Sequence, residues 1–135
     1  SHFANDIAFG TRTHNPPFRI VSLCDNQAVI TAIANDDGYE KIFSMQLEVL
    51  LKSDDVVVAI SASGNSTNLL HAVDTAKKIG ALTVGLTSFD GGKLKKSVDL
   101  SVHVPTEKGE YGPAEDAHMV LDHLVGSYLL RLVKA

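Results

Sequence analysis

The sequence predicts one three-layer α/β domain over residues 1–135, built around a mostly parallel sheet. Three observations carry that prediction. Asp55-Val56-Val57-Val58-Ala59-Ile60 shows no polar alternation beyond its first residue, as a strand covered on both faces does, and Leu82-Thr83-Val84-Gly85-Leu86-Thr87 is a second run of that buried type. Strand-like runs alternate with amphipathic ones at the spacing of crossover units. At 135 residues, 44% hydrophobic and 21% charged, the chain has the size and composition of one soluble domain with a sizeable core.

Taken in order, Ser1 to Gly10 places Phe3 and Ile7 at i, i+4 beside Ala4 and Ala8, so a helix is expected from the outset. Nothing extended leads into it, and an N-terminal part of the natural domain is expected to precede Ser1. Thr11 to Pro17, with Asn15-Pro16-Pro17, is a connection. Phe18 to Leu23 reads as a strand. Asp25 or Asn26 caps a helix running to about Ala34. Asn35-Asp36-Asp37-Gly38 breaks the chain, and Ile42, Phe43, Met45, Leu47, Val49 and Leu50 supply the apolar face of the next helix. The strand at 55–60 leads through Ser61–Ser66 into a helix marked by Leu69, Leu70, Val73 and Ala76, which ends at Gly80. After the strand at 82–87, Asp90-Gly91-Gly92 turns into a short helix through Lys96. Val98 to Val104 is a fourth strand, stopped by Pro105. The last helix runs from about Pro113 to Leu132, with Ala117, Leu121, Leu124, Tyr128 and Leu132 along one face.

Composition excludes several functions. The net charge of −4 leaves no basic stripe for a nucleic acid, and Lys93, Lys95 and Lys96 read as a solvated face. No run of about 18 apolar residues predicts a membrane span. Cys24 is the one cysteine, so no internal disulfide framework exists; with no signal-peptide pattern at the start, the expected location is cytoplasmic.

The chemistry concentrates first in Ser61-Ala62-Ser63-Gly64-Asn65-Ser66. This loop lies beyond the carboxyl end of a buried strand, where ligands bind in open parallel sheets. Gly64 allows close backbone approach, and the unpaired N–H groups opening the next helix favour an anion. No Gly-Lys-Ser/Thr ending is present, so a sugar monophosphate fits better than a nucleoside triphosphate. The alternative is a plain strand-to-helix turn whose serines cap the helix.

Ile60-Ser61-Ala62-Ser63-Gly64-Asn65-Ser66 resembles the Ile-Ser-x-Ser-Gly-Asn-Ser signature of sugar isomerase (SIS) domains. His2-Phe3-Ala4, Thr31 to Asp36, Leu86-Thr87 with Asp90-Gly91-Gly92-Lys93, and Glu115 to His123 are similar to the phosphoheptose isomerase branch. The resemblance implies a flavodoxin-like sheet, a homotetramer, and a phosphosugar substrate. The implied activity is an aldose–ketose isomerisation of sedoheptulose 7-phosphate to D-glycero-D-manno-heptose 7-phosphate through an enediol. It implies phosphate contacts from Ser61, Ala62, Ser63 and Ser66, with Ala62 replacing a common threonine. Asn35, Asp36 and Glu115 are implied to touch substrate. Asp6 and His123 are implied as the proton-transfer pair, and His2, Asp6, Glu115 and His123 as zinc ligands. Asp6 stands where glutamate is usual, and Glu115 where glutamine is usual.

Read from the residues alone, His2 and Asp6 at i, i+4 share a helix face and suit one metal, or simply a hydrogen-bonded pair. Glu115 and His123 are eight residues apart on one helix, about 12 Å along its axis, so converging on a single ion needs long side-chain reach or an irregular helix start. His118 and Asp122, also i, i+4, are either the actual polar site or a surface pair. The competing functional reading is a non-catalytic phosphosugar- or protein-binding SIS regulator of the replication-initiation-factor kind; retention of His2, acids at 6 and 115 and His123 favours the enzyme, and the changes at 6, 62 and 115 favour divergence, either to another substrate or to lost activity. The apolar faces of the helices at 42–51 and 120–132 are expected to pack either on another subunit or within the monomer.

Overall fold

The computed structural model describes residues 1–11 and 17–134. They fall into two compact units: Ser1–Asp25 with Glu115–Ala135, and Asn26–Ala114.

The larger unit holds the sheet. Strands β1 (Val56–Ser61), β2 (Leu82–Thr87) and β3 (Leu100–His103) lie side by side in the order β1-β2-β3. Both pairings are parallel, with Val56 opposite Leu82, Ser61 opposite Thr87, and Val84 opposite Leu100. Parallel neighbours need crossovers. These are α4 (Thr67–Ile79) and the short α5 (Leu94–Ser97), and the parallel α/β expectation is met.

Helix α4 ends where expected. Gly80 takes φ 93°, ψ 13°, the left-handed conformation a side chain disfavours, and its N–H reaches back to Ala76 and Lys77 carbonyls. Ala59 of β1, Val73 of α4 and Leu94 of α5 form a buried cluster, and Leu69, Leu70 and Val98 pack against it. Leu94 is 1% exposed, so a helix of only four residues is anchored by one side chain. Upstream, Asn26 caps α2 (Gln27–Asp36) by accepting from the Val29 N–H at 3.2 Å, which settles the choice between Asp25 and Asn26. A 3-10 turn (Tyr39–Lys41) leads into α3 (Ser44–Leu50), which packs on α4.

The expectation that β1 is covered on both faces is corrected. Val57 and Ala59 point to the helices, whereas Val56, Val58 and Ile60 are exposed, with Leu82 and Leu100 on the neighbouring strands. Packing by α4 and α5 buries only alternate residues. Continuous apolar runs therefore do not by themselves show which face is covered.

In the smaller unit the expected first helix is split. α1 (His2–Asn5) passes into a π-turn at Asp6–Gly10, in which the Thr11 N–H donates to the Asp6 carbonyl, five residues back, at 3.1 Å. Thr11 is fully buried and its hydroxyl donates to the Ile7 carbonyl at 2.8 Å. Within the Thr11–Pro17 connection, residues 12–16 lie outside the described residues. The expected strand at Phe18–Leu23 is not formed: those residues are irregular and enter a turn at Leu23-Cys24. Strand conformation is held by ladder partners, and among the described residues no ladder includes this segment. Helix α6 (Tyr111–Lys134) begins two residues before Pro113, which sits in its first turn. Val120, Leu124, Tyr128 and Leu132 form an exposed apolar ridge on it. Among the described residues no helix is long and apolar enough to cross a membrane.

Candidate active site

The serine loop follows β1 and opens α4, beyond the carboxyl end of the strand. Its shape is set by its own polar groups. The Gly64 N–H donates to Ser61 Oγ at 3.1 Å, the Asn65 N–H to Ser63 Oγ at 3.3 Å, and the Asn65 amide nitrogen to the Ser63 carbonyl at 3.0 Å. Ser61 Oγ and Ser66 Oγ lie 3.4 Å apart. Ser66 is the N-cap of α4 yet makes no side-chain capping bond, so the plain-cap reading of the loop does not hold for it. Its hydroxyl and the Thr67 and Asn68 N–H groups that open this 13-residue helix remain for an anion, whereas the Leu69 N–H donates to Asn68 Oδ1 at 2.9 Å.

A second turn braces this loop from behind. Lys93 N–H donates to Asn65 Oδ1 at 3.2 Å, Leu94 N–H to the Gly64 carbonyl at 2.9 Å, and Ser88 N–H to the Ala62 carbonyl at 3.0 Å. Backbone meets backbone here. A Cβ on Gly64, whose φ is +62°, would fall 2.6 Å from the Gly91 carbonyl carbon, and one on Gly92 would fall 2.7 Å from the Gly64 carbonyl carbon. Phe89, in the same turn, holds a φ of 52° and stacks edge-on to Tyr111 with ring centroids 5.1 Å apart. This is how the Asp90-Gly91-Gly92-Lys93 segment enters the site: it positions the loop through its main chain.

Asn35 and Asp36 end α2 in the same unit. Both are exposed, and Asn35 Nδ2 donates to Asp36 Oδ1 at 2.6 Å.

The smaller unit brings His2, Asp6 and His123 together. Asp6 Oδ2 lies 3.4 Å from His2 Nε2 and 3.8 Å from His123 Nε2. The two imidazole rings meet edge to face with centroids 5.6 Å apart. The π-turn starts at Asp6, and such turns recur at functional sites because they displace one side chain from the helical repeat.

Asp122, which the resemblance did not supply and the sequence offered only as a pair with His118, joins these three residues. It is 3% exposed, and neither carboxylate oxygen has a hydrogen-bond partner. One ligand atom from each of His2, Asp6, Asp122 and His123 lies within 4.8 Å of the others. Burial raises the Asp122 carboxyl above its ordinary pKa, the nearby Asp6 charge raises it further, and the two imidazoles oppose the shift. Its sequence signal was the i, i+4 spacing to His118. Its i, i+4 neighbour His118 is also buried, so the pair is not a surface pair, and His118 stands outside the four-residue cluster. Glu115 is exposed near the start of α6 and is likewise outside the cluster, as its distance of about two helical turns from His123 implies.

Two open hollows of about 480 and 410 Å³ lie elsewhere in the sheet unit. The first is lined by Asp55, Val56, Gly80 and Leu82, at the amino ends of the strands, the end that parallel sheets do not use for ligands. Neither hollow touches the serine loop.

Comparison with known proteins gives these features a family. The SIS domain model matches residues 1–88. The chain is 33% identical over 124 residues to phosphoheptose isomerase of Aliarcobacter butzleri, covering 92% of this chain and 65% of that protein. It is 36% identical to the enzyme of Trichlorobacter lovleyi, covering 92% of this chain and 62% of that protein. The chain thus spans a little under two thirds of the length of these relatives. The structure of phosphoheptose isomerase from Neisseria gonorrhoeae superposes with a TM-score of 0.83 at 30% identity, covering 95% of this chain and 67% of that one. The Francisella tularensis enzyme gives 0.86 at 25% identity, covering 96% and 69%. With its serine loop, its parallel sheet and these relatives, the chain belongs to the SIS domain family, in its phosphoheptose isomerase branch.

Proposed function

We propose that this chain works as an aldose–ketose isomerase, converting sedoheptulose 7-phosphate to D-glycero-D-manno-heptose 7-phosphate through an enediol. The observation that carries the proposal is Asp6: a carboxylate within 3.4 and 3.8 Å of two imidazole nitrogens, in a chain that also bears an anion-ready serine loop. The phosphoheptose isomerases it resembles favour the same reaction.

In this reading Ser61, Ser63 and Ser66 bind the phosphate with the amides opening α4, and Ala62 contributes its main chain without the hydroxyl a threonine would add. Binding energy at the phosphate orients the reacting end. Asn35, Asp36 and Glu115 hydrogen-bond sugar hydroxyls. Asp6 takes the proton from C1 of the ketose, its short side chain demanding close approach. His123 moves a proton between the sugar oxygens as the carbonyl shifts from C2 to C1, and Asp6, once its proton has exchanged with water, protonates C2.

The donor set fits a divalent ion such as zinc: two imidazoles and a carboxylate gather around a buried carboxylate that lacks any partner. His2, Asp6 and His123 would hold it, and its chemistry would be polarisation of the substrate's carbonyl and hydroxyl oxygens. The working form is a cytoplasmic homotetramer, with the exposed ridge Val120, Leu124, Tyr128 and Leu132 favouring a second copy as its cover.

The test is turnover. The protein, with zinc, should isomerise sedoheptulose 7-phosphate and leave unphosphorylated sedoheptulose unchanged. Zinc binding without turnover of any heptulose phosphate would support the regulatory alternative instead.

A further inference from the structure

We infer that Asp122 is a direct ligand of the divalent ion, taking the place that the family resemblance gives to Glu115. The inference rests on the divalent-ion part of the proposal above and not on the identity of the sugar.

The argument begins with a cost. A carboxylate that is 3% exposed, with neither oxygen hydrogen-bonded, is among the least favourable groups a protein interior can hold. Asp122 also faces Asp6 across the cluster, so two acids meet at short range. Among the described residues neither Asp122 oxygen has a hydrogen-bond partner, and the positive groups acting on it are two half-exposed imidazoles and the Ser1 amine. A cation placed among His2, Asp6, Asp122 and His123 removes both problems together. Two neutral imidazoles and two carboxylates offset a charge of +2, and a two-nitrogen, two-oxygen donor set suits zinc and its first-row neighbours. The four donor atoms are already close enough for one ion, within 4.8 Å of one another.

Glu115 meets none of these conditions. It is exposed, lies outside the cluster, and sits about two turns along α6 from His123. Its carboxylate loses nothing by staying in water. Adjacent positions 122 and 123 on one helix therefore do the work that the resemblance divides between 115 and 123.

The experiment reads metal binding, not catalysis. Protein stripped with a chelator is titrated with zinc by calorimetry, and with cobalt by its visible ligand-field absorption, for wild type, Asp122→Asn, Glu115→Gln and His2→Ala. The expected result is one zinc per chain in wild type and at least about a tenfold loss of affinity in Asp122→Asn, since even groups that only support a metal ligand are worth 10- to 100-fold. The cobalt spectrum should change in Asp122→Asn, and Glu115→Gln should stay within about twofold of wild type. The metal-free Asp122→Asn protein should melt no lower than metal-free wild type, because it loses a buried unpartnered charge. Wild-type zinc affinity in Asp122→Asn, with affinity lost in His2→Ala, overturns the role of Asp122 alone. Absence of zinc binding in wild type, or full affinity in His2→Ala, overturns the divalent-ion reading itself.

Discussion

Replacing Gly64 by alanine tests how the serine loop is held. Two costs add at this position. An L-residue at φ +62° sits in the left-handed region, at about 1–2 kcal/mol. The added Cβ would fall 2.6 Å from the Gly91 carbonyl carbon, a backbone atom that cannot rotate away, and forced overpacking costs about 1–3 kcal/mol. Together these predict a loss of about 2–5 kcal/mol, a large share of a typical domain's stability. Two other glycines separate the terms. Gly109 has a φ of +97° with nothing within 4 Å of a built Cβ, so Gly109→Ala should show the conformational cost alone. Gly112, in the first turn of α6, has neither positive φ nor a neighbour, and Gly112→Ala should stabilise by about 0.4–1 kcal/mol. Urea unfolding of the three variants against wild type measures all of this. A Gly64→Ala loss no larger than that of Gly109→Ala would refute the close approach of the two turns.

Leu94→Ala should cost about 2–5 kcal/mol in the same assay, since Leu94 is 1% exposed and anchors α5 against Ala59 and Val73; a loss under 1 kcal/mol would contradict that packing. Asp99 supplies a pH dependence. Its carboxylate accepts from the Thr83 hydroxyl at 2.6 Å and the Thr83 N–H at 2.9 Å, and these bonds, with Lys77 nearby, hold its pKa below the ordinary value. A lowered folded-state pKa means that the unfolded chain binds the proton more tightly, so the stabilisation is complete above the unfolded value of about 3.9 and lost as pH falls through the folded one. The stability gap between wild type and Asp99→Asn should therefore be constant near neutrality and close in acid. A gap that is unchanged down to pH 3 would show that Asp99 acts by other means.

The parts of this fold that were legible in the sequence share a physical reason. Strands β1 and β2, helix α4 and its Gly80 stop are local patterns whose tertiary partners are adjacent in the chain. The serine loop was legible because its glycine, its hydroxyls and its place after a strand all point the same way. The segment Phe18–Leu23 has strand composition but no ladder partner among the described residues, and composition cannot supply one. The exposed face of β1 escaped for a similar reason, since apolar alternation is hidden when both faces carry valine and isoleucine. At the acid–histidine cluster, spacing paired His2 with Asp6, and the resemblance added His123. Asp122 was legible only as half of an i, i+4 pair with His118, and its burial was needed to decide between polar site and surface pair, because position along a helix does not reveal whether an acid's oxygens find partners.

The central claim is the proposal that Asp6 transfers the proton between C1 and C2 of a phosphoketose while His123 serves the sugar oxygens. Its most direct measurement is isomerisation of sedoheptulose 7-phosphate in deuterated water by the zinc-loaded protein, with the product examined by NMR. The account predicts deuterium at C2 of the aldose, and a fall in kcat of about 10²–10⁴ in Asp6→Asn with zinc occupancy matched. Product formed without solvent deuterium, or Asp6→Asn turning over at the wild-type rate, would contradict it.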